Sequence, residues 1–342
     1  MLEEARKALD LVINKSRVHL YKPIQIAEIL YHDRVFHDIN LLKLEDYRTK
    51  SKKWRDDICI HLLGRVCTSS AKFQDNLFEA NALPPHLLNE LGKENRRTKG
   101  GIEEYIYRNF LHKYNQLSEA LTYCSNATKE RFDVKVFINS FWDEPGLKRS
   151  LDKIYEIIVY ALFSTLVQVL KLKIEVSINT KDVGILSEFE DFAQMIMNID
   201  FQNPTYISDA RVYRVGVTNA ADRGLDMYSN WGPAIQIKHL TLDVSLAENI
   251  VAGVSSDRII IVCKDAEKNV ILSLLTQIGW KSRIQSIVTE NNLVDWYKKA
   301  LTGTYSNQMG DLLLNCLRNE ISKEFPSVES IPEVISKRGY NL

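Results

Sequence analysis

Apolar residues recur at helical spacing through the first half of the chain and alternate with polar ones through much of the second. Leu2 to Asn14 carries its apolar positions along one face and predicts an N-terminal helix. In KPIQIAEILYHDRV, Pro23 falls near a helix start, where its missing N–H costs little because first-turn amides have no intrahelical acceptor. Leu44 to Val66 and Ile102 to Tyr123 predict longer helices, and Leu147 to Leu170 a long, mostly buried one. NALPPHLL reads as a break, and GKENRRTKGG, Gly92 to Gly101, as a basic loop flanked by glycines.

Beyond Leu170 the period changes. LKIEVSIN, ARVYRVGVTN and AIQIKHLTL alternate like strands, with a short segment carrying Asp226 before the last of them. LSEFEDFAQMIMNI predicts a helix, with Ser187 as N-cap and Glu190 three residues on completing a capping box. SLAENIVAGV and EKNVILSLLTQIG read as helices and RIQSIVTE as a strand. DRIIIVCK is a continuous apolar run, as a strand covered on both faces requires. Two helices, near Leu293–Leu301 and Gln308–Lys323, close the chain. From Ser187 the order is helix, three strands, helix, strand, helix, strand, which predicts a compact α/β unit with a mixed sheet flanked by helices. The expected organisation is a mainly helical region over residues 1–170, an α/β core over 171–300, and a helical extension over 301–342.

The composition narrows the chemistry. Of 342 residues, 44 are Lys or Arg and 44 Asp or Glu, so bulk positive charge does not hold this chain on nucleic acid, although local basic clusters remain available. The five cysteines are odd in number and lack C-x-x-C spacing, which fits a reduced, intracellular chain; Cys59, His61 and Cys67 match no zinc spacing. The N-terminus is acidic and then amphipathic, unlike a signal peptide. The most apolar run, Ile154 to Leu170, carries Glu156 and Gln168 and reads as a buried helix, not a membrane span. A soluble, cytoplasmic protein is expected.

One stretch has polar residues that a buried strand does not need: GLDMYSNWGPAIQIKHLTL, Gly224 to Leu242. Residues two apart on a strand share a face, so Gln236 and Lys238 project together and Ile235 and Ile237 go to the other side. If SNWGP turns a hairpin, Asp226 reaches the same end, which brings a carboxylate, an amide and an ammonium group together. Hard divalent cations such as Mg²⁺ take oxygen ligands. Asp226 would anchor the ion, with the Gln236 side chain and the Ile237 carbonyl as neutral oxygens. Lys238 would hold or help deprotonate the attacking water and offset phosphate charge. An exposed cross-strand ion pair between Asp226 and Lys238 is the bland alternative.

Asp226 followed by Gln236-Ile237-Lys238 resembles the signature of the PD-(D/E)xK nucleases, an acid, a short gap, then acid-x-Lys on the next strand. Leu225 stands where that signature has proline, and Gln236 stands where it has its second acid. The second departure removes a negative charge and puts metal affinity or metal number in question. The resemblance implies a restriction-endonuclease-like core and a carboxylate from the preceding helix, for which Glu190 is the first candidate and Glu188 the second. Glu190 equally serves as a helix cap. VGVTNAADRGLDMYSNWGPAIQIKHLTL and SRVHLYKPIQIAEILY look like the HaeII-type type II restriction endonucleases, over most of the chain. That resemblance implies Mg²⁺-dependent cleavage of double-stranded DNA at a short GC-rich palindrome centred on GCGC. A palindrome in turn implies a twofold homodimer, and a cognate DNA methyltransferase acts on the same site.

Two basic segments are candidates for phosphate contact: Lys52, Lys53 and Arg55 around Trp54, and Arg96, Arg97 and Lys99. Asn219, Asp222 and Arg223, just ahead of Asp226, could orient the site or read base edges, though turn chemistry explains Asn and Asp equally well. Guanines in such a site suit Arg or Lys, because O6 and N7 both accept. Two rival readings remain, a structure-selective repair or junction nuclease and a catalytically inactive DNA-binding protein on a nuclease fold.

Overall fold

A computed structural model describes residues 1–66, 76–144, 146–178, 183–215, 225–277, 279, 281–325 and 333–342. They fall into two compact units: residues 1–158 with 317–342, and residues 159–215 with 225–316.

The first unit is helical. Its elements are α1 (Leu2–Lys15), α2 (Tyr21–Val35), α3 (Leu44–Tyr47), α4 (Lys50–Leu63), α5 (Pro85–Arg97), α6 (Gly101–Asn126), α7 (Val134–Trp142) and the start of α8 (Leu151–Val169). Helix α2 is central, with Ile24, Ile26, Ala27, Ile29 and Leu30 all fully buried. It buries polar groups too, and each is answered. Arg338 grips the Glu28 carboxylate with two bonds, at 2.7 and 2.9 Å, while its guanidinium lies 3.6 Å from the Tyr31 ring centroid. Such pairing is what a buried charge requires.

Gly92 to Gly101 is not a loop. Residues 92–97 are the last two turns of α5, and the chain reverses through Thr98, Lys99 and Gly100 into α6. Gly100 N–H bonds Asn95 carbonyl at 2.8 Å, and Lys99 and Gly100 take left-handed φ of 56° and 106°, a helix-ending reversal. Asn95 Oδ1 then accepts from Ile102 and Glu103 amides at 3.1 and 3.3 Å and caps the start of α6. Gly92 is a packing glycine, since a Cβ there would run into Leu41 Cδ1. Leu44 to Val66 likewise divides into α3 and α4.

The second unit is mixed α/β. A five-stranded sheet runs β3 (Val212–Arg214), β4 (Met227–Ser229), β5 (Ala234–Leu242), β6 (Ile259–Ala266), β7 (Ile284–Thr289), in that spatial order. The β3/β4 and β4/β5 pairs are antiparallel, and β5/β6 and β6/β7 are parallel. The parallel strands are joined by α11 (Val244–Gly253) and α12 (Lys268–Gln277), which pack Ala247, Ile250, Val251, Ile271 and Leu275 against Ile259, Ile261 and Ile287. Helix α13 (Glu290–Thr302) packs on β6 and β7, so β6 is covered as its apolar run predicts. Helix α14 (Ser306–Glu324) follows; its residues from 317 onward, and the short α15 (Glu333–Ser336), belong to the first unit.

Two features of this unit differ from expectation. β1 (Lys173–Ser177) pairs not with the main sheet but with β2 (Thr205–Asp209), a strand the alternation did not reveal, in a two-stranded ribbon. The helix expected over Leu186–Ile199 is broken into α9 (Val183–Glu188), α10 (Glu190–Phe192) and a π-helical turn over Ala193–Met197. Ser187 lies inside α9, and Phe189 precedes α10 with no side-chain cap, so the Ser187–Glu190 capping box does not form. Among the described residues no helix is long and apolar enough to cross a membrane. Glu156 of α8 is buried and held by Lys153 at 2.7 Å.

Candidate active site

The segment before β5 does turn back on it. Ser229 N–H donates to Pro233 carbonyl at 3.1 Å, and Gly232 takes φ of 116°, a conformation that side chains rarely adopt. The register sets Met227 opposite Ile235, which carries Asp226 to the level of Gln236. On its other side Asp226 holds β3, where Val215 N–H donates to its carbonyl at 3.0 Å.

Three donors converge on one carboxylate oxygen. Asp226 Oδ2 accepts from Gln236 Nε2 at 2.8 Å and from the Ile237 amide at 2.7 Å. Lys238 Nζ stands 3.8 Å from the same oxygen, an ion pair without a direct hydrogen bond. β4 pairs with β5 only at Met227 and Tyr228, so the carboxylate takes the Ile237 N–H where the ladder ends.

Burial grades along β5. Ala234 to Ile237 are buried on both faces, Lys238 and His239 are half-buried, and Leu240 and Thr241 are exposed. Gln236 is only 3% exposed, whereas the Lys238 and Asp226 side chains are 33% and 17% exposed. The cluster therefore sits where the sheet passes from core to surface. Its buried side fixes geometry, and its outer side can receive a substrate. A solvated cross-strand pair has no need of a buried amide behind it. Opposite Lys238 on β6 is Cys263, whose thiol is pushed by burial up to about 11 and stays neutral, a packing residue.

The oxygens needed for a hard cation are partly here. Among the described residues no group of three or more His, Cys, Asp or Glu side chains could hold a metal. A divalent ion at Asp226 would draw on one carboxylate, neutral oxygens from Gln236 and Ile237, and substrate or water oxygens, a set that suits Mg²⁺. Glu190 makes no described bond to this cluster; its Oε1 accepts from Phe201 N–H at 3.5 Å. Glu188 is exposed at the end of α9.

The basic candidates divide. Lys53, Arg97 and Lys99 are exposed and Lys52 half-buried. Arg97 grips Glu94 at 2.7 and 2.8 Å, and Arg96 is paired with Asp33. Arg55 is withdrawn as a phosphate contact. It is 1% exposed, its guanidinium bonded to Asp56 at 2.9 and 2.6 Å and to Gln25 at 3.2 Å. Trp54 stacks on His32 with centroids 3.6 Å apart. Cys59 is fully buried, an ordinary core cysteine. Asn219, Asp222, Arg223 and Cys67 lie outside the described residues.

Two positions carried no signal in the sequence. Asn230 links the β4–β5 turn to the chain between β2 and β3, accepting from Arg211 N–H at 2.8 Å and donating to Asp209 carbonyl at 3.0 Å. Arg283 donates to the carbonyls of Val251 at 2.8 Å and Ser256 at 2.9 and 3.1 Å, closing the C-terminal end of α11.

The comparisons with known proteins agree with the resemblance to the HaeII-type restriction endonucleases. The chain is 55% identical over 342 residues to the type II restriction enzyme HaeII of Haemophilus aegyptius, covering 99% of this chain and 97% of that one. It is 54% identical over 343 residues to the type II restriction enzyme NgoBI of Neisseria gonorrhoeae, with the same coverage. No solved structure matches. The model of the HaeII restriction endonucleases matches residues 5–340, and the chain belongs to that family.

Proposed function

We propose that the chain is a type II restriction endonuclease that cuts both strands of DNA at a short GC-rich palindrome centred on GCGC, with Mg²⁺ as cofactor and a PD-(D/E)xK-type core. The observation that carries the site assignment is the convergence of Gln236, the Ile237 amide and Lys238 on one oxygen of Asp226.

In this reading Asp226, Gln236 Oε1 and the Ile237 carbonyl hold the ion, and Glu190 is the candidate for a second carboxylate. The ion supplies polarisation of the scissile phosphate and a lowered pKa for water. The Ile237 amide and the Gln236 Nε2 fix the rotamer of Asp226. Lys238 supplies positive charge at the mouth of the site, where it orients the attacking water and offsets charge growing on the phosphate. Arg96, Arg97, Lys99, Lys52 and Lys53 are proposed as phosphate contacts, and Asn219 and Arg223 as groups near the bases. The enzyme acts in the cytoplasm as a homodimer, beside a methyltransferase that marks the same site.

Digestion of a fully sequenced plasmid with Mg²⁺, followed by sequencing of the ends, tests this. Discrete ends at a GCGC-centred palindrome are expected. Smeared ends would move the reading to a shape-selective nuclease, and intact plasmid to a binding protein.

A further inference from the structure

The second unit turns a large apolar face outward. Ile185, Phe189, Phe192 and Ile196 are 65%, 53%, 55% and 69% exposed, and Met195 between them 81%. The first four are spaced four, three and four residues apart, the repeat of one helical face. Backbone bonds carry the turn through the joint at Phe189, with its N–H on Ile185 carbonyl at 3.1 Å and Ala193 N–H on its own carbonyl at 3.0 Å. On this segment the small Ala193 is the buried residue and the large apolar ones face out, the reverse of a monomer's surface helix.

The area identifies the kind of partner. At about 200 Å² for one such side chain fully exposed, these five residues present roughly 650 Å². The largest patch on a typical monomer is about 300–600 Å², whereas one side of a standard protein interface is about 800 Å². Charge removes nucleic acid as the occupant. Between Val183 and Ala210 the chain has five carboxylates, Glu188, Glu190, Asp191, Asp200 and Asp209, and no Lys or Arg. Lys171, just ahead of β1, carries the opposite sign, while Lys173 and Asp209 are paired with each other within the chain. A twofold contact can set one copy's remaining carboxylates against the other's Lys171, the self-complementarity an isologous interface requires.

We propose that the outward face of residues 185–196 is the surface on which a second copy of this chain docks. The choice of a second copy rests on the restriction reading: cutting both strands takes two centres, and the Asp226–Lys238 cluster supplies one per chain. The patch belongs to the same compact unit as that cluster. Asn230 ties the end of β2 to the turn between β4 and β5. Docking here sets the position of one active site relative to the other.

Sedimentation equilibrium of the full chain without DNA tests this. The wild type is expected at twice its 39.4 kDa chain mass at micromolar concentration. The double substitution Phe192→Glu with Ile196→Glu should sediment as a monomer with unchanged far-UV circular dichroism. Met195→Cys, treated with a short flexible bis-maleimide, should give a cross-linked dimer that the wild type does not. A monomeric wild type, or a double variant that folds and still dimerises, overturns the assignment. If the double variant does not fold, a dimeric Met195→Cys protein that stays uncross-linked overturns it. None of these readouts involves cleavage, so a misplaced interface leaves the restriction reading intact. A dimer of the expected kind that leaves plasmid uncut counts against the restriction reading alone.

Discussion

Replacing Lys238 with alanine separates a structural lysine from a catalytic one, because the two roles act on different observables by different amounts. Lys238 Nζ is 3.8 Å from Asp226 Oδ2, with the two side chains 33% and 17% exposed. Unit charges at that separation attract by about 4 kcal/mol at an effective dielectric of 20. Desolvation, side-chain entropy and screening offset most of this, and partly exposed pairs net roughly 0.2–1 kcal/mol. The distance exceeds hydrogen bonding, so the low end applies, about 0.5 kcal/mol, or less than about 2 °C in Tm for a chain of this size. A transition-state role predicts a far larger loss in rate, about 3 kcal/mol or a hundredfold and more. Single-turnover cleavage, started by adding Mg²⁺ to preformed enzyme–DNA complexes, reads chemistry apart from binding. Lys238→Ala should fall at least a hundredfold there while its Tm and DNA affinity stay near wild type. Lys238→Arg should not restore it, since guanidinium is larger, planar and does not lose its proton. Near wild-type cutting by Lys238→Ala would refute the reasoning and leave Lys238 as half of an edge ion pair.

Asp226→Asn keeps the size of the side chain but removes its charge; cleavage should collapse while specific binding measured in Ca²⁺ persists, and undiminished cutting would remove Asp226 from the site. Gln236→Glu places a carboxylate at a position 3% exposed and 2.8 Å from Asp226 Oδ2, so it should destabilise the metal-free protein by about 2 kcal/mol or more. Mg²⁺ or Mn²⁺ should restore its thermal stability more than that of the wild type, and overlaying metal titrations would show Gln236 remote from the ion. Neutralising Arg96, Arg97 and Lys99 should weaken binding to all DNA sequences and flatten its salt dependence, because fewer counterions are released. Relaxed preference at one base position with an unchanged salt slope would instead mark them as base readers. His19 is 5% exposed and stacked on Tyr21 and Phe325, with Arg65 Nη2 3.0 Å from its Nε2. Burial first, then the Arg65 charge, lower its pKa to about 3, so the folded state holds it neutral while the unfolded chain protonates near 6.5. Its contribution is therefore complete above pH 6.5 and is lost as pH falls toward 3, by up to roughly 5 kcal/mol. Urea midpoints of His19→Gln should vary less across that window than those of the wild type; parallel curves would refute the assignment.

The candidate site is legible in the sequence because its determinants are close together and come out of counting. Gly232 and Pro233 mark a turn, the alternation of AIQIKHLTL sets which residues share a face, and the register then brings Asp226 level with Gln236. Two readings within the basic segments, the loop at Gly92 and the exposure of Arg55, fail because their determinants are remote. Gly92 looks like loop punctuation until Leu41 is seen packed where its Cβ would be. Arg55 looks like one charge in a solvated run until Gln25 closes on it from another helix, itself donating to Ser51 at 2.9 Å. A period reports that a face is buried and a charge run that a face is polar; neither reports which distant residue will answer it.

The segment from Ile185 to Ile196 takes that point one step further. Its apolar spacing predicts a helix with a buried stripe, and Ser187 with Glu190 predicts where it begins. The chain does turn helically there, yet it breaks at Phe189 and leaves the stripe in solvent. Packing against an apolar face supplies most of a helix's stability in water, and short helices without it are marginal. Where local propensity is present and the packing partner is not, three short turns take the place of one long helix. The pattern marks a face to be buried, and among the described residues no element buries it. On the proposal above, a second copy of the chain covers it. On that account the helix should lengthen and straighten on association. Hydrogen exchange at the amides of residues 189–197 should slow with rising protein concentration, and exchange independent of concentration would mean that the breaks belong to the chain itself.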